Sequence, residues 1–328
     1  MKDFVLTRAK DYSLASIDNE TLEASVGNVN AFMEAAVTEI DGAIHSAARS
    51  LGIAMYGTGS GKIGQVGSSV ASATITLTDI ESITNFEKGQ TLVLSTTNGG
   101  GVVKAGTAVV QGLDRDLGTV TFSAALNTLI GTAALNDFIF VQGDYDAKLK
   151  GFLAWLPSTA PTSGDNFFGV DRSSDASRLA GIRFNGSAMP IEEALIAAAA
   201  RAAREGGKPD VCFMSYSKYA DLEKALGSKV QYVDVSVNPQ ISFRGITING
   251  PRGPIKVVPD QNCPNDRAFM LQMNVWKLYS LGKAPKILDT DGLKMLRDSN
   301  ADSVEIRVGY YAQLGCRGPG FNVNIQLS

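Results

Sequence analysis

One ordered run, residues 187–328, constrains the fold of this chain more than any single motif. It opens on a helix-forming stretch, 190–205, with Pro190 at the tolerated start and the pair Gly206-Gly207 as its stop. Ile191, Leu195, Ile196 and Ala199 fall on the inward side, and Glu192 and Glu193 complement the positive end of the helix dipole. The alanines 197–200 permit close approach by a sheet or another helix. At 1.5 Å per residue such a helix spans roughly 24 Å. The run Pro209-Asp-Val-Cys-Phe-Met-Ser215 follows, and 211–214 is apolar on both faces, as a central strand would be. A second helix over 216–226 carries Tyr219, Leu222 and Leu226 on one side and is closed by Gly227. A glycine- and proline-punctuated β segment comes next, and alternating strands over 304–326 end the run. Helices packed beside a doubly buried strand make the expected class α+β.

At 328 residues the chain exceeds what one hydrophobic core usually serves, so several structural units are expected. Residues 1–27 mix charges with small residues without a sustained period and predict an extended arm, ordered only against a neighbour. From 28 to 60 the pattern is helical. Phe32, Ala36, Val37, Ile40, Ile44, Ala47 and Leu51 make an apolar stripe, with Glu34, Thr38, Asp41, His45 and Arg49 opposite. Asn28 or Asn30 is the expected N-cap, and Gly57 with Gly59 the stop. Residues 61–143 are poor in charge and rich in Thr, Val and Gly. Short alternating runs at 73–78, 91–95, 102–110, 119–122 and 138–141 are separated by turns such as Asn98-Gly-Gly-Gly101, which predicts an inserted small antiparallel barrel or sandwich. In 148–186 the aromatic anchors Phe152, Trp155, Phe167 and Phe168 are spaced by prolines and Gly164. Asp171, Arg172, Asp175, Arg178 and Arg183 suit contacts with a neighbour or an ordinary charged surface loop.

No catalytic apparatus emerges from the residue types present. His45 is the single histidine and falls on a polar helix stripe, which leaves imidazole triads and zinc sites one possible donor. The glycine-rich piece 57–64 departs from a phosphate loop: position 56 is Tyr where a glycine is needed, and Ile63 follows Lys62 where Ser or Thr is needed. Its context is also inverted, with helix before and strand after, so a flexible hinge is the expectation. Asp114 and Asp116 flank an expected hairpin turn, and Asp289, Asp291 and Gly292 lack the spaced acceptors of a calcium loop. Asn19-Glu-Thr21 and Asn185-Gly-Ser187 match glycosylation acceptors by chance. Cys212, Cys263 and Cys316 are spaced for neither zinc nor a disulfide framework and are expected as free buried thiols. The start, Met1-Lys-Asp-Phe-Val-Leu-Thr-Arg8, carries charge where a secretion signal needs an apolar core, and no apolar run is long enough to span a membrane. A net charge of −3 argues against a dedicated nucleic-acid binder while allowing weak contact through a local basic patch. No residue is therefore assigned to catalysis, cofactor binding or metal ligation, no cofactor is expected, and the chain is not expected to be an enzyme.

The block order resembles that of the tailed-bacteriophage major capsid proteins with the Hong Kong 97-like fold. In that family an N-terminal arm and a projecting β loop precede a spine helix, then come a strand and second helix, an axial domain, and strands returning to the peripheral domain. Ile191-Glu-Glu-Ala-Leu-Ile196 onward to Gly207 looks like the spine helix, and 209–227 resembles the peripheral strand and helix. Phe243-Arg-Gly-Ile-Thr-Ile-Asn-Gly-Pro-Arg-Gly-Pro-Ile-Lys-Val-Val-Pro259, with Ala268-Phe-Met-Leu-Gln272, is similar to the axial sheet, and 304–315 to the terminal peripheral strands. The implied plan is an arm at 1–27, a joining helix at 28–60 and an inserted β domain at 61–143 in the projecting-loop position. A peripheral domain at 144–227 with spine helix 190–205, an axial domain at 228–298 and returning strands at 299–328 complete it.

What the resemblance implies is a structural protein that self-assembles, as pentamers and hexamers, into an icosahedral phage head around double-stranded DNA. Its partners would be itself, separate scaffolding, portal and decoration proteins, and packaged DNA by weak non-specific contact, with no membrane. Assembly would occur in the host cytoplasm and the product would be the virion capsid. An encapsulin-like nanocompartment shell is the nearest alternative. A β-domain adhesin or glycan binder centred on 61–143 is another, although Phe86, Phe122, Phe138 and Phe140 sit at positions suited to core.

Overall fold

The structure is a computed structural model and describes residues 3–20, 29–226 (backbone alone for 29–36), 246–289, 292, 296–298 and 301–327. In chain order, β1 (Ala9–Asp18) and helix α1 (Val29–Tyr56) lead into seven short strands. These are β2 (Lys62–Gln65), β3 (Thr74–Thr76), β4 (Thr91–Ser95), β5 (Ala108–Val109), β6 (Gly112–Asp114), β7 (Thr119–Thr121) and β8 (Phe138–Val141). A hairpin of β9 (Asn166–Phe167) and β10 (Val170–Asp171) precedes β11 (Ile182–Asn185), α2 (Ile191–Arg204), β12 (Val211–Met214) and α3 (Tyr216–Leu226). The rest is β: β13 (Thr247–Gly250), β14 (Gly253–Pro259), β15 (Arg267–Leu271), β16 (Trp276–Ser280), β17 (Lys286–Ile287), β18 (Leu296–Arg297), β19 (Ser303–Cys316) and β20 (Val323–Gln326). The mixed α+β content agrees with the expectation from sequence.

The N-terminal residues correct that expectation. Instead of a free arm, β1 pairs antiparallel over all ten residues with β19, from Ala9 beside Ala312 to Asp18 beside Ser303. Its alternation is real but chemically faint: Ala9, Asp11, Ser13, Ala15 and Ile17 turn inward, whereas the larger Tyr12 and Leu14 turn out. Helix α1 lies on the inward face, burying Ala43 and Ala47, with Ile40 and Ile44, against Ala15, Ile17, Ile306 and Val308. Val37, expected on that stripe, is 51% exposed. Asn30 lies inside α1 rather than capping it; Asn28 and the side chains of Phe32, Glu34 and Ala36 lie outside the described residues.

Strands β2–β8 form the predicted antiparallel unit. One sheet runs β2-β8-β4-β5 and the other β3-β7-β6. Ile63, Val66, Ile75, Leu77, Phe86, Leu92, Leu94, Val120, Phe122 and Ile139 fill a core drawn only from this unit. Phe86, Phe122 and Phe140 are buried and Phe138 is half-buried beneath Lys62, so these rings are not an exposed platform for a glycan.

The third layer is a six-stranded sheet, β11-β20-β15-β12-β14-β13, with α2 and α3 on one face. Central β12 is covered on both sides as its sequence required: Cys212 and Met214 face the helices, while Phe213 packs on the aromatic core behind. Helix α2 approaches closely because Ala194, Ala198, Ala199 and Ala202 present only methyl groups. It stops where Gly206 takes a φ of 91° and the N–H of Gly207 donates to Ala202 O. Ile196, expected inward, is 55% exposed because Leu195 and Ala199 occupy the buried face. The expected division at 227/228 is also corrected. It falls between β12 and β14, which pair directly, and β20 joins the same sheet through β15. Gly227 and residues 228–245 lie outside the described residues.

Candidate functional site

The residues with chemical potential in the sequence are dispersed in the structure. His45 and Asp41 lie exposed on α1. The loop after α1 is clasped rather than free. Ser60 Oγ donates to Asn98 Oδ1 at 2.6 Å, Asp146 N to Ser60 O at 2.9 Å, and Gly151 N to Gly57 O at 3.1 Å. A hinge is thus replaced by a seam between α1, the β unit and 144–151. Asp114 Oδ1 accepts from the N–H groups of Asp116 and Leu117, the turn role read from its sequence. Asp289 O accepts from Gly292 N in another turn, and Asp291 lies outside the described residues. Asn185 Oδ1 accepts from Ser187 N and Oγ within its own turn; Thr21 lies outside the described residues.

Cys212, Cys263 and Cys316 are free and buried. Burial pushes the Cys212 and Cys316 thiols up to about 12 and raises Cys263 well above its ordinary value, so none is poised as a thiolate nucleophile. Among the described residues no group of three or more His, Cys, Asp or Glu side chains is placed to hold a metal ion, and no helix is long and apolar enough to cross a membrane. A depression lined by Ala199, Ala203, Pro209 and the Gly250–Gly253 turn has no room for a water molecule.

Sequence reasoning missed the polar cluster that ties the layers together. Lys148 Nζ sits 2.7 Å from Asp11 Oδ2 on β1, 2.9 Å from Asp144 Oδ2 and 2.8 Å from Ser50 Oγ on α1. Ser50 Oγ and Tyr310 OH both donate to Asp11 Oδ2. Burial, partly offset by Lys148, raises the Asp144 carboxyl above the usual carboxylate range. The only hint in the sequence is the four-residue step from Asp144 to Lys148.

The aromatic anchors converge beside this cluster. Trp155 is fully buried, donates from Nε1 to Leu314 O at 3.0 Å, and meets Phe4 and Phe167 edge-on at 4.9 and 5.0 Å. Phe152 touches Trp276 and Phe269, joining the two large sheets. Arg172, expected among surface contacts, is buried here: it pairs with Asp165 at 2.8 Å, donates to Ala154 O and lies over the Phe167 ring. Arg178 does remain exposed.

Among the described residues, the Lys148 cluster, Arg172 and the aromatic anchors hold the layers together. Exposed apolar side chains occur on β1 (Tyr12, Leu14), α2 (Ile196), the start of α3 (Tyr216) and the β unit (Ile80, Val102, Leu117, Leu135). Side chains scattered singly in this way are ordinary for a protein surface.

No curated protein matches the chain. Among solved structures, the "Cyanophage A-1(L) capsid asymmetric unit" is similar at 16% identity and a TM-score of 0.41, over 55% of this chain and 60% of that one. The "Satellite phage P4 procapsid including size determination (Sid) protein" is similar at 11% identity and a TM-score of 0.41, over 100% of this chain and 75% of that one. The "Capsid of empty GTA particle computed with C5 symmetry" is similar at 11% identity and a TM-score of 0.33, over 58% and 60%. The chain thus spans about three fifths of the cyanophage capsid chain it resembles. The family model described as SU10 major capsid protein matches residues 130–298, just over half of the sequence. The chain belongs to the SU10 major capsid protein family, and the resemblance to a phage major capsid protein read from its block order is borne out.

Proposed function

We propose that copies of this chain assemble, through pentamers and hexamers on the Hong Kong 97-like plan, into the icosahedral head of a tailed phage around double-stranded DNA. The observation that carries this reading is the family match over 130–298. The two large sheets supply its two structural units. One is the six-stranded sheet, which joins the peripheral span 144–227, with α2 as its spine helix, to strands of the axial span 228–298; the other is the β1-β19-β16 sheet with α1, which carries the returning strands. The β unit at 61–143 is an insertion. In support, it has its own core, and the family match begins at residue 130, after six of its seven strands. Its place is across an adjacent subunit or on the exterior.

A shell of this kind is held by many heterologous contacts around five- and six-fold axes, each weak enough to correct during assembly. Scaffolding, portal and decoration proteins are separate chains, assembly takes place in the host cytoplasm, and the mature product is the virion capsid. Expression of the full chain followed by sedimentation and electron microscopy tests the reading. Closed particles are expected, and a chain that stays monomeric at every concentration and salt tried would overturn it.

A further inference from the structure

We infer that the face of the β1-β19-β16 sheet turned away from α1 is the surface on which duplex DNA lies, held through its backbone phosphates. This rests on the shell reading and adds which side of the subunit faces the genome. Residues paired across strands share a face, and faces alternate along each strand. Helix α1 covers the side of Ala15, Ile17, Ile306 and Val308. The opposite side therefore carries Lys10, Tyr12 and Leu14 of β1, Arg307 and Tyr311 of β19, Lys277 and Tyr279 of β16, and Lys286 of β17, together with the acids Asp18 of β1 and Glu305 of β19. Tyr12 is 52% exposed and Leu14 55%, and no described helix or strand packs over them.

The charge on this face runs against the rest of the molecule. The chain carries a net −3, yet here Lys10, Lys277 and Lys286 have no ion-pair partner among the described residues. Only Arg307 has a counter-ion, Glu305 at 3.4 Å on the same face. Lys277 Nζ stands 5.3 Å from the Tyr279 ring centre, so cation and ring are interleaved. Unpaired lysines on flexible stems suit contact with phosphates, which needs charge and no base reading. They suit a second copy of the chain poorly, because lysine is depleted from the cores of protein–protein interfaces.

The test uses the full-length chain with a linear duplex of mixed sequence, measuring affinity over a salt series, with electron microscopy of the same preparations. Replacing Lys10, Lys277 and Lys286 together by Gln is expected to leave closed particles and to reduce the slope of log affinity against log salt by roughly 2–3. The matching triple change to Arg keeps the unmodified slope. An unmodified chain with no duplex affinity, or a Gln variant with an unchanged slope, overturns the inference. A folded Gln variant that no longer closes particles also overturns it, since the face would then join copies. Failure of the shell reading itself is separate: it shows as absence of particles from the unmodified chain.

Discussion

Lys148 Nζ lies 2.7 Å from Asp11 Oδ2, and this pair closes a contact between residues 137 positions apart, with both side chains largely buried, at 9% and 13% exposure. A single ammonium is shared between Asp11 and Asp144 while Ser50 and Tyr310 supply further donors to Asp11. Removing one partner of a buried pair strands the other charge, which costs roughly 3–5 kcal/mol. Lys148→Met is therefore expected to lower stability by about that amount at neutral pH, read from urea midpoints. The sign of its pH dependence follows from the carboxyls. Asp144 already holds its proton more tightly in the folded chain than in the unfolded one, and loss of Lys148 strengthens that hold. A raised folded pKa contributes stability that is present at low pH and lost as pH rises through it, so the deficit of Lys148→Met shrinks as pH falls toward the ordinary carboxylate value. A deficit under about 1 kcal/mol at neutral pH would mean that the cluster is hydrated and not load-sharing.

Two glycines with opposite surroundings give a paired prediction. A Cβ on Gly309 would drive into the backbone carbonyl of Asp11, where β1 meets β19. Gly309→Ala should cost about 1–3 kcal/mol and expose residues 9–18 to protease. On α1, a Cβ on Gly42 meets nothing within 4 Å, so Gly42→Ala should stabilise by about 0.5–1 kcal/mol through helix propensity alone. Thermal unfolding of both variants decides; equal effects would remove the case for close packing at β1.

The elements legible in the sequence were those whose periodicity and polarity agree. The alanine run 197–200 predicted a helix able to press on a sheet, although the alanines that do so are 194, 198, 199 and 202, and Val211 to Met214 predicted a strand covered on both sides. β1 was not legible because its inward positions are Ala, Asp, Ser, Ala and Ile, only slightly more apolar than its outward Lys, Tyr, Leu, Ser and Asp. The Lys148 cluster gathers positions 11, 50, 144 and 310, and Arg172 is buried only because Asp165, Ala154 and Phe167 surround it. Such groupings arise from tertiary pairing, which local spacing does not encode. The single six-stranded sheet likewise depends on β12 pairing with β14 and β15 across long intervals.

The three thiols give a prediction in alkali. Cys212, Cys263 and Cys316 are all under 6% exposed, so a thiol reagent at mildly alkaline pH should leave the folded chain untouched and label all three positions after denaturation. Burial holds the Cys212 and Cys316 protons to about 12, whereas the unfolded thiols ionise near 9.0. The unfolded state therefore releases these protons first, and stability is expected to fall as pH rises from 9 toward 12. Rapid labelling of the native chain would contradict the packing around them.

The first and last strands of the β unit pair, Lys62 beside Phe140, so the chain enters and leaves at nearly one point. Its core draws on no residue outside the unit, and the other three cores draw on no residue inside it. Replacing residues 63–142 by a short flexible linker should therefore leave a folded chain. What is lost is the Arg49–Glu87 contact to α1, the Ser60–Asn98 and Gly100–Asp146 hydrogen bonds of the seam, the packing of Phe140 on Tyr145, and whatever the exposed Val102, Leu117 and Leu135 touch on a neighbour. If those side chains reach an adjacent subunit, shells of the shortened chain should still close yet disassemble at a lower temperature than shells of the full chain. Scanning calorimetry and light scattering on assembled particles would measure the difference. Particles of unchanged heat stability would show that the unit reinforces nothing.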